Sequence, residues 1–300
     1  MKAGRAAGTK LLIAGQAGYP TALSDLSDAP AILWGLGDVS LLSRPMIALV
    51  GARNASSLGT RMAKKLASDL GEAGYVVVSG LARGVDTAAH IGALETGTIA
   101  VLAGGVDTIY PIENKALAED IARRGLRISE MPMGVQPQAR HFPARNRIIS
   151  GLARGVVIVE AAAKSGSLIT ARNALDQSRD VLAVPGHPFD ARTYGCNMLI
   201  RDGATLVRGA NDVIEALGAA MADPAPELPL EMPVRPQRTF RETAALHDQI
   251  LHRLGPSPVA EDQLIRDLGA DSNTVAPIIV TLELDGKITR QSGGLIALSH

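Results

Sequence analysis

The chain is short of several things, and each shortage excludes a class of protein. It holds one cysteine, Cys196, so an internal disulfide cannot form and a disulfide scaffold is ruled out; a lone thiol fits a reducing compartment. Its 300 residues include three Phe, four Tyr and one Trp. Platforms for stacked bases are therefore scarce. The core must be assembled from Ala, Val, Ile and Leu, the palette of a parallel sheet covered by helices. Charge of one sign is missing too: 30 Lys and Arg stand against 30 Asp and Glu. No global field draws the chain to a polyanion, and any nucleic-acid surface must be local. No apolar run reaches the ~18 residues of a membrane span, and Met1 to Lys10 is basic without a following export signal. A soluble cytoplasmic protein without membrane insertion is the expectation. What is present suffices for a large core, with 46% hydrophobic and 20% charged residues.

Standard chemical signatures are also lacking. There is no G-x-x-x-x-G-K-[ST], which argues against P-loop triphosphate hydrolysis. No G-x-G-x-x-G follows the first regular strand, which argues against a dinucleotide cofactor. A G-x-S-x-G elbow, an H-E-x-x-H helix and a Cys/His cluster of zinc spacing are all missing. Asp86 and His90 are four apart, as on one helix face, but without a third ligand nearby they read as structural. Cys196 reads as a small buried residue. Neither metal nor cofactor is expected.

From Met46 onward, short β-branched runs alternate with Gly-containing turns and amphipathic stretches, the rhythm of βαβ units. Strands are predicted at 47–50, 75–78, 98–102, 126–129, 156–160, 181–184 and 204–207. Helices are predicted at 58–73, 85–96, 113–124, 145–154, 168–178, 196–202 and 211–219. Repeated strand, helix and strand wind right-handedly into an α/β, Rossmann-like, doubly wound and mostly parallel sheet over residues 46–221. Residues 1–45 read as a strap packed on that domain. The Pro-rich stretch 222–238 reads as an extended linker. Residues 239–300 read as three short helices (243–254, 260–268 and 272–284) and a hairpin turned at Gly293-Gly294, the outline of a small winged-helix domain.

In such a sheet ligands bind outside the carboxyl ends of the strands, and the loops there are distinctive. The first begins Gly51-Ala52-Arg53, the second reads Ser79-Gly80-Leu81-Ala82-Arg83, and the third contains Gly104-Gly105. The fifth gives Glu160 and then Lys164-Ser165-Gly166-Ser167 with Thr170. The sixth gives Pro185-Gly186-His187. Glycines let a backbone approach phosphate closely, while hydroxyls and free helix N-terminal amides supply donors. From Met131 to Val159 the chain carries Arg140, Arg145, Arg147 and Arg154 without a single carboxylate. Phe142 adds a stacking face and Asn146 an amide, next to arginines able to pair phosphates.

These stretches, in this order, resemble the DprA (Smf) family of DNA-processing proteins. VGAR, VVVSGLARGVDTAAHIGAL, TIAVLAGGVDTIYPIENKAL, ISEMP, HFPARNRIISGLARGVVIVEAAAKSGSLITARNAL, VLAVPG and GCNMLIRDGA carry the likeness over about residues 45–217. The resemblance implies an extended Rossmann-like domain that binds single-stranded DNA without sequence preference. It also implies a homodimer formed through that domain, protection of incoming strands, and their delivery to the RecA recombinase during natural transformation. Carried over by motif, the binding residues are Arg53, Lys115, Arg140, Phe142, Arg145, Asn146, Ser165, Gly166 and Thr170, with Ser79, Gly80 and Arg83 on the same rim. Gly51, Gly104, Gly105, Arg147 and Lys164 complete the candidate set. The first loop departs from the family by placing Ala52 where a hydroxyl residue is common, and the family's N-terminal helical domain is absent or truncated to the strap.

Residues 46–217 carry 19 basic against 16 acidic residues, whereas residues 239–300 carry five against eight. The Rossmann-like domain is thus expected to be the DNA binder, with the tail touching protein or duplex weakly. Binding without catalysis is expected. The alternative is an enzyme of the lysine-decarboxylase-like group, which hydrolyses nucleoside monophosphates with a P-G-G-x-G-T-x-x-E loop. The Ser-Gly-Ser-Leu-Ile-Thr run here lacks that glutamate spacing.

Overall fold

A computed structural model describes residues 8–218, 240–255, 257–270, 272–291 and 293–299. The chain divides into two compact units with the boundary at residues 225 and 226. The predicted linker, 222–238, lies outside the described residues, as do Met1 to Ala7 of the strap.

The first unit opens with β1 (Lys10–Ile13), the short helix α1 (Thr21–Ser24) and β2 (Ile32–Gly37). After a 3-10 turn at Val39–Ser43 come β3 (Met46–Val50), α2 (Ser57–Glu72), β4 (Val76–Ser79), α3 (Val85–Ala93) and β5 (Thr98–Val101). They are followed by α4 (Lys115–Arg124), β6 (Leu126–Ser129), α5 (His141–Leu152), β7 (Gly155–Ile158), α6 (Gly166–Asp176) and β8 (Asp180–Ala183). The unit closes with α7 (Tyr194–Arg201), β9 (Thr205–Leu206) and α8 (Ala210–Leu217).

All nine strands form one sheet in the order β1-β2-β6-β5-β4-β3-β7-β8-β9. The seven predicted strands are all present and run parallel to one another. The strap corrects the expectation, because it is part of the sheet. Its runs LLI and ILWGL pair antiparallel with each other and, through Trp34 opposite Ser129, with β6. An edge strand presents unpaired amides and carbonyls, and the strap covers that edge of β6. Arg179 fastens the strap by donating to the Ala22 carbonyl at 2.9 Å, and the Tyr19 hydroxyl donates to Pro30 at 2.6 Å.

The central strands are buried on both sides and so read as continuous apolar runs. Along β3, Ala48 and Val50 join the core under α5 and α6. Ile47 and Leu49 point to the opposite core under α2, α3 and α8. A smaller cluster of Leu81, Ala100, Leu102, Ala118 and Ile121 seals α4 onto β5. Small side chains let α2 and α3 pack closely: a Cβ on Gly92 would overlap the Lys64 carbonyl.

The second unit contains α9 (Phe240–Arg253), β10 (Val259–Ala260), α10 (Glu261–Leu268), α11 (Ser272–Leu284), β11 (Ile288–Gln291) and β12 (Leu295–Leu298). Gly293 and Gly294 both adopt positive φ, +88° and +73°, and turn the predicted hairpin. Its strand β12 also pairs with β10. Leu246, Ile250, Leu264, Val275, Ile279, Leu282 and Ile296 make a separate core. Three helices and a small antiparallel sheet with a hairpin constitute a winged helix.

His90, on α3, is fully buried and faces Thr98. The Thr98 hydroxyl gives its proton to the Val77 carbonyl, so the imidazole must donate from Nδ1, 2.7 Å away. Nε2 is left bare and without a partner. Burial, and secondarily the Arg145 charge, push this histidine down to about 3. The unfolded chain then takes up a proton near pH 6.5 that the folded protein refuses. His90 therefore lowers stability as pH falls below that value, by at most about 1.4 kcal/mol per pH unit. Urea denaturation at pH 7 and pH 5 should show a smaller acid loss for His90→Gln than for the native chain. Equal losses would show that His90 titrates normally.

Candidate functional site

The strand order reverses at β3, which has β4 on one side and β7 on the other. In a doubly wound sheet a crevice opens at that point, because successive crossovers leave to opposite faces. Here the loops leaving β3 and β7 diverge around a cleft of about 770 Å³.

The first wall is the loop Gly51 to Ser56. Its far end is tied to the residue that begins the loop after β7: the Ser56 amide and hydroxyl both donate to Glu160, at 2.9 and 2.5 Å. Ser56 also caps α2 by accepting from the Gly59 amide. The carboxylate lies against Gly59 so closely that a Cβ there would overlap it. Arg53, exposed at the tip of this loop, lies over the Phe142 ring, 5.3 Å from its centre. Tyr110 packs on the same ring at a centroid distance of 5.7 Å. Phe142 stands in the first turn of α5, where Pro143 is tolerated because no intrahelical donor is required.

The opposite wall is the loop after β7. Ser165 caps α6, and its hydroxyl lies 2.7 Å from that of Ser167. The N-terminal amides of this helix give the wall a partial positive charge. Lys164, beside them, is exposed.

Arg145 forms the floor. It is 6% exposed, donates to the Val101 carbonyl at 3.2 Å and leaves Nε unpartnered. Its guanidinium occupies the space a Cβ would need at Gly80, so glycine there is a packing requirement. Burial lowers its pKa to about 10, with Asp86 opposing and Arg53 adding to the effect; it stays a cation at neutral pH. Asp86 accepts from the amides of Gly80 and Ala82 at 3.1 and 3.3 Å. Burial raises its pKa while Arg145 and those two amides pull the other way. Between these donors Leu81 holds φ at +56°, a strained conformation for a leucine. Its carbonyl is gripped by Asn114 at 2.9 Å. Asp86 and His90 thus serve the loop and the core, as the sequence suggested.

The structure gathers Gly51, Arg53, Phe142, Arg145, Asn146, Lys164, Ser165, Gly166 and Thr170 around the cleft. Gly80 and Arg83 line a recess that shares Arg53, Phe142 and Arg145 with it, although Arg83 is paired with Glu113. Other candidates do not reach it. Ser79 is buried and bonded to the Leu49 carbonyl. Gly104 and Gly105 pack under the 132–137 loop, against the Val135 and Pro132 carbonyls. Lys115 and Arg140 are exposed but line neither the cleft nor the recess. Arg147 leaves α5 on another side and pairs with Glu130 and Asp28. Asn54, Tyr110 and Arg192, which are not among the candidate binding residues, also line the cleft or its recess. Tyr110 was legible as an aromatic in a loop after a strand; Arg192 gave no signal beyond its place after the Pro185-Gly186-His187 turn.

The model of the DNA recombination-mediator protein A family matches residues 10–218. The chain belongs to this family. A DprA winged-helix model matches residues 234–294. DNA processing protein DprA of Streptococcus pneumoniae is 48% identical over 198 residues, which cover 65% of this chain and 70% of that protein. Protein Smf of Escherichia coli is 36% identical over 285 residues, covering 93% and 75%. The crystal structure of the pneumococcal DprA aligns with a TM-score of 0.67 at 44% identity, over 69% of this chain and 74% of that one. DNA processing protein A of Helicobacter pylori, solved to describe its single-stranded DNA binding mode, aligns with a TM-score of 0.64 at 32% identity. It covers 70% of this chain and 95% of its own.

The overlap of Gly80 with Arg145 sets a test. Gly80→Ala should cost about 1–3 kcal/mol in chemical denaturation because the guanidinium must be displaced. In an Arg145→Ala background the same change should cost markedly less, a coupling that a double-mutant cycle measures. Additive losses would show that the two residues do not compete for one space.

Proposed function

We propose that the cleft holds the backbone of an unpaired DNA strand, and that the protein is a binding protein, not an enzyme. The observation that carries this reading is the arrangement of cations and amides at the switch point. Arg53 and Lys164 stand exposed on the two walls, with the cationic Arg145 between them and the start of α6 alongside. Backbone amides and helix N-termini suit phosphate oxygens of any sequence. Phe142 offers a face on which any base can stack. Grip without sequence preference follows from both. A paired strand cannot press one backbone into a recess walled by loops on either side, so duplex should bind less well.

Among the described residues at the cleft, no carboxylate stands free for nucleoside monophosphate hydrolysis. Asp86, in the lining, is occupied by the Gly80 and Ala82 amides, and Glu160 by Ser56. Delivery of the bound strand to RecA, protection of incoming DNA in transformation, and a homodimer that doubles the track are proposed from family membership. A dimer would raise the effective concentration of one site for a strand already held by the other. Among the described residues no helix is long and apolar enough to cross a membrane, in keeping with the proposed cytoplasmic location.

Arg145→Ala is a poor probe, since it also removes the cation beside the buried Asp86 and empties space in the packed floor. Arg53→Ala and Lys164→Ala are clean because both side chains are exposed. Each should weaken oligo(dT) binding about tenfold. Each should also lower the salt slope by about 0.7, the value of one lost single-strand phosphate contact. Unchanged affinity and slope would remove these residues from the site.

A further inference from the structure

The cleft continues past its known walls onto the loop between β8 and α7. Ala191 and Arg192 of that loop line the same cavity as Arg53, Phe142 and Lys164. The loop is held firmly. Thr193, buried at its base, donates to the carbonyls of His187 and Asp190 at 2.8 and 2.9 Å. Asn197 clasps Gly186 on both its amide and its carbonyl, at 3.1 and 3.0 Å. Arg192 and Asp190 close a two-residue ion pair at 2.8 Å.

On this braced loop stands Phe189, 95% exposed. Its amide donates to His187 Nδ1, and the two rings lie 5.6 Å apart at 41°. Seven aromatic residues precede position 219 in this chain. Tyr19 and Tyr75 are buried in the cores. Tyr110 and Phe142 pack together beside the cleft, and Phe189 and Tyr194 stand beyond the carboxyl end of β8 with Tyr194 also exposed. A protein so sparing of aromatics thus places four of them along one rim. An apolar ring left almost wholly in water on a rigid support gains from a flat apolar partner. The partner that a phosphate-gripping cleft brings to this position is a nucleobase.

We infer that His187 and Phe189 form a second stacking platform, which takes a base of the strand where it leaves the cleft on the side away from Phe142. This rests on the single-strand reading above and extends it, by making the bound segment longer than the cleft itself. The phosphates are held within the cleft, and a base at each end is held by a ring. Such a contact adds affinity without sequence preference and without charge.

The test is oligo(dT) binding by the full chain for the native protein, Phe189→Ala and Phe189→Trp, with an abasic oligomer of equal length as the control. Phe189→Ala should lose about fivefold or more on oligo(dT) with the salt slope unchanged. It should lose nothing on the abasic oligomer, and Phe189→Trp should restore binding. If the native protein binds oligo(dT), Arg53→Ala weakens it and Phe189→Ala does not, the platform is wrong and the cleft reading stands. If Phe189→Ala instead changes only the sedimentation behaviour, the ring belongs to an interface with a second copy, and the platform is likewise wrong. Failure of the native protein to bind any single strand overturns the reading on which the platform rests.

Discussion

The architecture of the cleft depends on one contact between distant segments: Glu160, after β7, receives both the amide and the hydroxyl of Ser56, before α2. The pairing of β3 with β7 brings the starts of the two loops together, but at a topological switch the loops then leave to opposite faces of the sheet, and something beyond the strands must tie their far ends. The carboxylate does so. It fixes the entry to α2, lies against Gly59, and leaves the preceding residues free to project Arg53 over the ring of Phe142. The opposite wall then begins a few residues further on, at Lys164 and the capped start of α6.

A second constraint sets the floor. Arg145 is a buried cation whose burial is tolerated because Asp86 lies near it and the Val101 carbonyl accepts from it. Asp86 in turn organises the loop after β4 by accepting two of its amides. The strained Leu81 backbone, the glycine at position 80 and the buried pair are one assembly. A residue that looks exposed by composition is buried at the floor of the cleft, whereas Arg53 and Lys164 stand exposed on its walls.

Much of this was legible in the sequence because parallel strands buried on both faces give unbroken apolar runs, and their loops give concentrated Gly, Ser and Arg. The seven parallel strands and the hairpin at Gly293-Gly294 follow from those patterns. The strap was not legible as sheet. Its Gly-interrupted runs carry no parallel-strand signature, and their pairing with β6 is set by an edge formed some ninety residues later in the chain. Burial and partnership, which the sequence does not display, keep several candidates away from the cleft. Gly104 and Gly105 look like phosphate loops yet serve close packing, and Arg147 belongs to a carboxylate pair on another side of α5. Arg53, Lys164 and Ser165 lie on the loops that leave β3 and β7, and Phe142 in the first turn of α5, so position in the chain was enough to place them at the cleft.

The central claim is that exposed cations and backbone amides at this switch point grip one unpaired strand. It is tested most directly by titrating salt while measuring affinity for a single strand and for a duplex of the same length. The account predicts tighter single-strand binding at every salt concentration, with log affinity falling by about 0.7 per phosphate held for each log unit of salt. Equal or tighter duplex binding, or affinity indifferent to salt, would contradict it.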